Sequence, residues 1–276
     1  MAVLALAVGA VRLTRVGYAD VEVPPETVGL TDEAVGSVRW AEPVWAGAGG
    51  VGAAAAAWII ESDGARIVVD PALAADAILR NETDAAAHQE AFAAVLADAG
   101  FARDTITQAV ATHIDGIGMF AWREPDGAWT PFFPNAPILL SQRELDAIDA
   151  QHHPDPDSWP ILGELRAFGA VRPTGDREHI TPAVTIEHTG AHTAGHQIVR
   201  IRSDGERAVI VGHLAASPLQ LATGVCTLLH DEPDEAWATL VALRDEGALL
   251  VGPLWPSPGS GHGTGTALLP AGSVGG

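Results

Sequence analysis

Four distinctive side chains arrive where short apolar runs end. Asp70 closes Ile67-Val68-Val69, and His113 follows a run that ends near Ala111. His192 lies on the loop after Val184-Thr185-Ile186, and His213 follows Val209-Ile210-Val211-Gly212. If these runs are strands, their carboxyl-terminal loops are where α/β proteins commonly gather a site. Three neutral imidazoles are a sufficient protein contribution to a tetrahedral zinc centre with one open position. Without a metal, the same groups could move protons in general acid/base chemistry. Any one of these histidines could equally be a structural side chain; their common placement is what points to a site.

The elements that must position them can be read from periodicity. Met1 to Ala10 lacks a basic leader before its apolar residues, and Val11-Arg12-Leu13-Thr14-Arg15-Val16 alternates, so the start is read as a first strand rather than a targeting segment. Ala53 to Ile60 and Ala65 to Asp70 pair across the turn Ser62-Asp63-Gly64. Helices are expected over 72–80 and 84–98, then a strand over 106–111 leading to His113, and another over Ile138-Leu139-Leu140. Ser141 is placed to cap a helix through Asp149, with Glu144 at the capping-box position. His152-His153-Pro154-Asp155-Pro156-Asp157 must be a loop. Strands follow near 183–187, 197–202 and 207–212, then a helix from Pro233 to about Asp245 and a strand at 248–251.

Composition narrows the function classes. The 276 residues carry 15 basic and 35 acidic side chains, a formal charge of −20, with no Lys/Arg cluster. Such a surface repels polyanions, so no nucleic-acid partner is expected. No apolar run approaches the roughly 20 residues of a membrane span, so no membrane partner is expected either. Cys226 is the only cysteine, which excludes an intrachain disulfide and a thiolate metal cage; cytoplasmic residence fits. No composition break marks a linker, so residues 1–276 are read as one domain with a loose Gly- and Ser-rich tail from about 265. A homodimer is compatible with all of this.

Two segments resemble signatures of the metallo-β-lactamase-fold hydrolases. Ala111-Thr112-His113-Ile114-Asp115-Gly116-Ile117-Gly118 is similar to that family's His-x-His-x-Asp-His-x-Gly, and Gly190-Ala191-His192-Thr193-Ala194-Gly195 to its Gly-His-Thr-x-Gly loop. Ungapped, His113 and Asp115 fall on ligand positions while Ala111 and Gly116 replace histidines; a two-residue deletion would instead make His113 the first histidine. Val211-Gly212-His213-Leu214-Ala215-Ala216-Ser217-Pro218-Leu219-Gln220 resembles the family's Gly-Asp segment with His213 in place of the bridging Asp. In Pro253-Leu254-Trp255-Pro256-Ser257-Pro258-Gly259, Leu254 stands where a histidine is expected.

The resemblance implies an α/β (α+β) fold of αββα sandwich type. It also implies a reduced metal site, with His113, His192, His213 and Asp115 as candidate ligands and catalytic groups. A dinuclear centre is not expected, because the second position keeps only Asp115. One zinc ion suits the three histidines, iron suits histidine plus Asp115, and a metal-free cleft is the alternative. The implied activity is hydrolysis of an ester, lactone, thioester or amide in a small, fairly hydrophobic molecule, with Asp115 as base. Metal-independent dehydration, isomerisation or cyclisation, or non-catalytic binding, are the other readings. Met119, Phe120, Trp122, Trp255 and His262 are candidate pocket walls.

Overall fold

Asp63 and Gly64 take up left-handed φ values of 50° and 80°, the geometry of a two-residue hairpin. They fold β4 (Gly50–Ser62) onto β5 (Ala65–Val69), the expected pairing, with Glu61 opposite Arg66. The protein is represented by a computed structural model that describes residues 3–38, 45–47, 50–71, 82–114, 117–152, 159–225, 230–256, 259–264 and 267–270. The helix expected over 72–80, Asp115, Gly116, His153 and Cys226 lie outside the described residues.

Alternation along β4 divides its side chains between two cores. Trp58 and Ile60 face the interior between two sheets, and Ile59 faces the opposite side. The first sheet runs β1 (Val3–Val8), β2 (Val11–Val23), β4, β5, β6 (Gln108–Val110), β9 (Ile138–Ser141), β10 (Val171–Thr174), with β3 (Ala46–Gly47) paired to β4. The second runs β11 (Arg177–His179), β12 (Val184–His188), β13 (Gln197–Ser203), β14 (Glu206–Ile210), β15 (Leu249–Val251), β16 (Ser260–Thr264), β17 (Ala267–Pro270). A small hairpin joins β7 (Ala121–Arg123) to β8 (Trp129–Pro131).

The sheets share an apolar interface: Leu13, Trp58, Ile60, Ile67, Val69 and Leu139 meet Ile186, Val199, Ile201, Ile210 and Val251. On the far face of the first sheet, Ile59, Val68 and Leu140 receive α2 (Glu82–Asp98), α3 (Gln142–Asp149) and α4 (Trp159–Phe168) through Phe92, Leu145 and Leu162. On the far face of the second, Ile198, Val209 and Leu250 receive α5 (Leu219–Thr223) and α6 (Pro233–Asp245) through Leu219, Leu240 and Leu243. A short α1 (Asp32–Gly36) precedes β3. Helix, sheet, sheet, helix is the layering that buries both faces of each sheet.

Two sequence expectations change. The single first strand is a hairpin, because Gly9 turns at φ 58° and residues 3–8 pair back on 11–16. Within the tail read as loose from about 265, residues 267–270 form β17 on β16, with residue 262 of β16 opposite Leu249, and 271–276 lie outside the described residues. Strand pairing is a backbone matter, so glycine-rich sequence does not preclude it.

Candidate metal centre

Three loops converge at one end of the sandwich. His113 sits in the bend after β6, whose end is fixed by Ala111 N–H donating to the Leu139 carbonyl (3.1 Å). His213 sits in a single 3-10 turn after β14, over Gly212–Ala215. His192 is carried between β12 and β13 on a loop pinned at its base by Thr189 and Gly190 N–H groups on the His196 carbonyl (2.8 and 3.1 Å). One ring nitrogen from each of His113, His192 and His213 lies within 4.8 Å of the other two. Ligand nitrogens around a tetrahedral zinc, with bonds of roughly 2.0–2.1 Å, stand about 3.3 Å apart. The set is thus gathered and slightly open. His113 is buried and the other two are half-buried, so the cluster meets solvent on one side.

The protonation of His113 follows from its neighbours. Asp70, at φ 37°, accepts the Thr112 N–H (2.8 Å) and the Thr112 hydroxyl (2.5 Å). That hydroxyl has no further proton to give, so its 3.0 Å contact with His113 Nδ1 is Nδ1–H donating to oxygen. Nε2 is left with its lone pair, and it lies 2.9 Å from His213 Nδ1. An orienting partner behind a ring nitrogen, with the opposite nitrogen unprotonated, is the arrangement a metal-binding histidine requires.

Two further histidines complete the cluster. His196 is fully buried, 5.7 and 5.6 Å in ring centroids from His113 and His192. Its Nδ1 meets Thr189 Oγ1 at 2.6 Å and its Nε2 has no partner. Burial, then the nearby His213, holds its pKa well below the usual histidine value. His230 Nδ1 lies 3.2 Å from His192 Nδ1, and burial followed by His213 lowers its pKa to about 4. Its loop is fixed by Asp231 and Glu232 N–H groups donating to the His192 and Ala191 carbonyls (3.0 and 3.2 Å). No local spacing marks either residue, and His230 meets His192 only because the fold brings the two loops together.

Glu144 also departs from its expected place. Ser141 caps α3 by accepting the Arg143 N–H (3.2 Å). The Glu144 carboxylate points away from that cap: Oε1 accepts from Ile114 N (3.0 Å), and Oε2 from Thr193 Oγ1 (2.8 Å) and Gly195 N (2.9 Å).

The candidate pocket walls are dispersed. Met119 and Phe120 are buried in the core under the first sheet's helices, and Trp255 is buried in the second, its Nε1–H on the Ala215 carbonyl (2.8 Å). Trp122 is half-buried beneath the Arg103 guanidinium, 4.0 Å from the ring centroid. It borders a cleft of about 510 Å³ with Glu90, Arg123 and Glu124, and none of the clustered histidines lines it. His262 is placed by register alone, on β16. Leu254 packs against the second sheet's outer core.

No family model and no curated protein sequence matches this chain. Solved structures do. A hydrolase, AbOPH, in the beta-lactamase superfamily superposes with a TM-score of 0.72 at 16% identity, covering 99% of this chain and 98% of its own. AidC, a dizinc quorum-quenching lactonase in complex with a product, gives 0.74 at 19% identity with the same coverages. A probable metal-dependent hydrolase from Staphylococcus aureus gives 0.70 at 14% identity, covering 91% of both chains. Superposition over nearly the whole length, on an αββα layering with histidines at one end, identifies the architecture of this chain as the metallo-β-lactamase fold.

Proposed function

We propose that the protein is a hydrolase that opens an ester, lactone, thioester or amide in a small molecule at a single metal ion held by His113, His192 and His213. The observation that carries this is the gathered triplet of ring nitrogens, one of them left unprotonated by the Asp70–Thr112 pair. The donor chemistry fits zinc: three neutral imidazoles and room for one more ligand. A bound ion of this kind lowers the pKa of water to about 7 and polarises a carbonyl. The Asp70–Thr112 pair aims His113, and Asp115, outside the described residues, is assigned the proton-accepting role. The lactonase and hydrolase neighbours support the reaction class. Leu254 and His213, at positions where the family has a histidine and a carboxylate, support one metal rather than two.

Elemental analysis of protein purified without a nickel column should find about one zinc or iron per chain, lost in His192→Ala. Asp115→Asn should keep the metal and lower kcat by about 10²–10⁴-fold on an ester or lactone substrate. A second reading has its own observation: the 2.9 Å hydrogen bond pairs His113 Nε2 with His213 Nδ1 without any metal. Full activity in chelator-treated, metal-free protein would establish that reading, acid/base chemistry by the same histidines, and remove the first.

A further inference from the structure

We infer that Glu144 is a positioning residue of this centre, a single carboxylate that sets the separation of the loops bearing His113 and His192. The inference deepens the metal reading above, though only one arm of its test depends on that reading.

Each oxygen serves one loop. Oε1 takes the N–H of Ile114, next to His113; Oε2 takes the hydroxyl of Thr193, next to His192, and the N–H of Gly195. The side chain is fully buried. An ionisable group removed from water is costly unless its hydrogen-bonding capacity is met, and three donors converge on it here. Helix capping does not account for its presence, since Ser141 supplies the cap. Filling space does not either, because an apolar side chain of similar volume would do so without desolvating a carboxylate. The approach is also closely fitted: a Cβ on Gly195 would lie 2.2 Å from Glu144 N and 2.4 Å from its Cα. A glutamine at 144 would offer one accepting oxygen and one donating nitrogen. The nitrogen would face N–H or O–H donors on one side, so that one loop is released while the other is kept.

The test uses the whole chain and two readouts. In metal-free protein, the ¹⁵N side-chain resonances of His113, His192 and His213 report tautomer and hydrogen bonding. Glu144→Gln should move the resonances of the histidine on the released loop, His113 or His192, away from their wild-type values. In the second readout, Co²⁺ affinity followed by its visible spectrum should fall by about 10–100-fold, as loss of an outer partner of a metal ligand typically costs. Leu165→Ala, buried in α4, a helix that carries none of the site's side chains, should lower the melting temperature while leaving both readouts at wild-type values. Should Glu144→Gln fail to fold, Thr193→Val removes one donor to Oε2 and should move the His192 resonances alone, by less. Wild-type imidazole resonances in a folded Glu144→Gln, or in Thr193→Val when that is the variant that folds, would overturn the inference. So would equal shifts in Leu165→Ala. If wild-type protein takes up no Co²⁺, the metal reading falls, and the metal-free resonances still decide the role of Glu144.

Discussion

Asp70 reaches His113 through one hydroxyl. Its carboxylate fixes the Thr112 proton, and that in turn fixes which nitrogen of His113 is unprotonated. Asp70→Asn offers a donor on one side and should weaken metal binding by about 10–100-fold at nearly unchanged secondary structure, read by metal competition and circular dichroism. Gly212 is constrained from two directions. It sits at φ 57°, and a Cβ there would lie 2.5 Å from Thr112 Oγ1 and 2.8 Å from His196 Nε2. Gly212→Ala should therefore cost roughly 1–3 kcal/mol in urea unfolding and also weaken metal binding, because the displaced hydroxyl is the one that orients His113. His113, His192 and His213 are legible in the sequence because each closely follows an apolar strand. His196, His230 and Glu144 are not, because their partners come from other loops and no local spacing encodes the meeting.

Among elements, regular ones were legible and glycine-rich ones were not. The Pro233–Asp245 helix was readable from proline at its first position, acidic residues in its first turn and its apolar spacing. The β4–β5 hairpin was readable from its Ser-Asp-Gly turn. The first hairpin was read as one strand because its turn, Gly9-Ala10, is as small and apolar as its flanks. β16 is not legible because Ser260-Gly261-His262-Gly263-Thr264 has no apolar alternation, and its pairing rests on backbone. The junction between the two sheets depends on Gln197, the first residue of β13. Its amide nitrogen donates to the carbonyls of Ala111 and Leu139 (2.8 and 3.3 Å), and its oxygen accepts from Thr174 (2.8 Å). Gln197→Leu takes this partner from the buried Ala111 carbonyl and Thr174 hydroxyl and should lower stability by roughly 1–3 kcal/mol, seen as an earlier denaturant midpoint with an unchanged m-value.

For the whole molecule, acid is the sensitive direction. His196 and His230 titrate lower in the folded chain than the usual 6.5, so the unfolded chain binds protons first as pH falls. Their contribution to stability is complete above about pH 6.5 and declines as pH falls toward the His230 value of about 4. Melting of the metal-free protein should drop between pH 7.5 and pH 5, and His230→Gln should show a flatter dependence. A slope unchanged in that variant would mean that carboxylates alone set the acid limit. The αββα layering itself was legible only through the family resemblance; periodicity alone reached no further than a mixed α/β or α+β fold.

Loops that hold a site are usually the first parts of a protein to open. Here the His113 loop is tied to the second sheet by Gln197 N–H on the Thr112 carbonyl (2.9 Å) and, through Glu144, to the His192 loop. Opening either loop alone means breaking bonds that also span the two sheets. The site and the sandwich should therefore come apart in one cooperative step, so that proteolysis within 189–196 proceeds no faster than global unfolding.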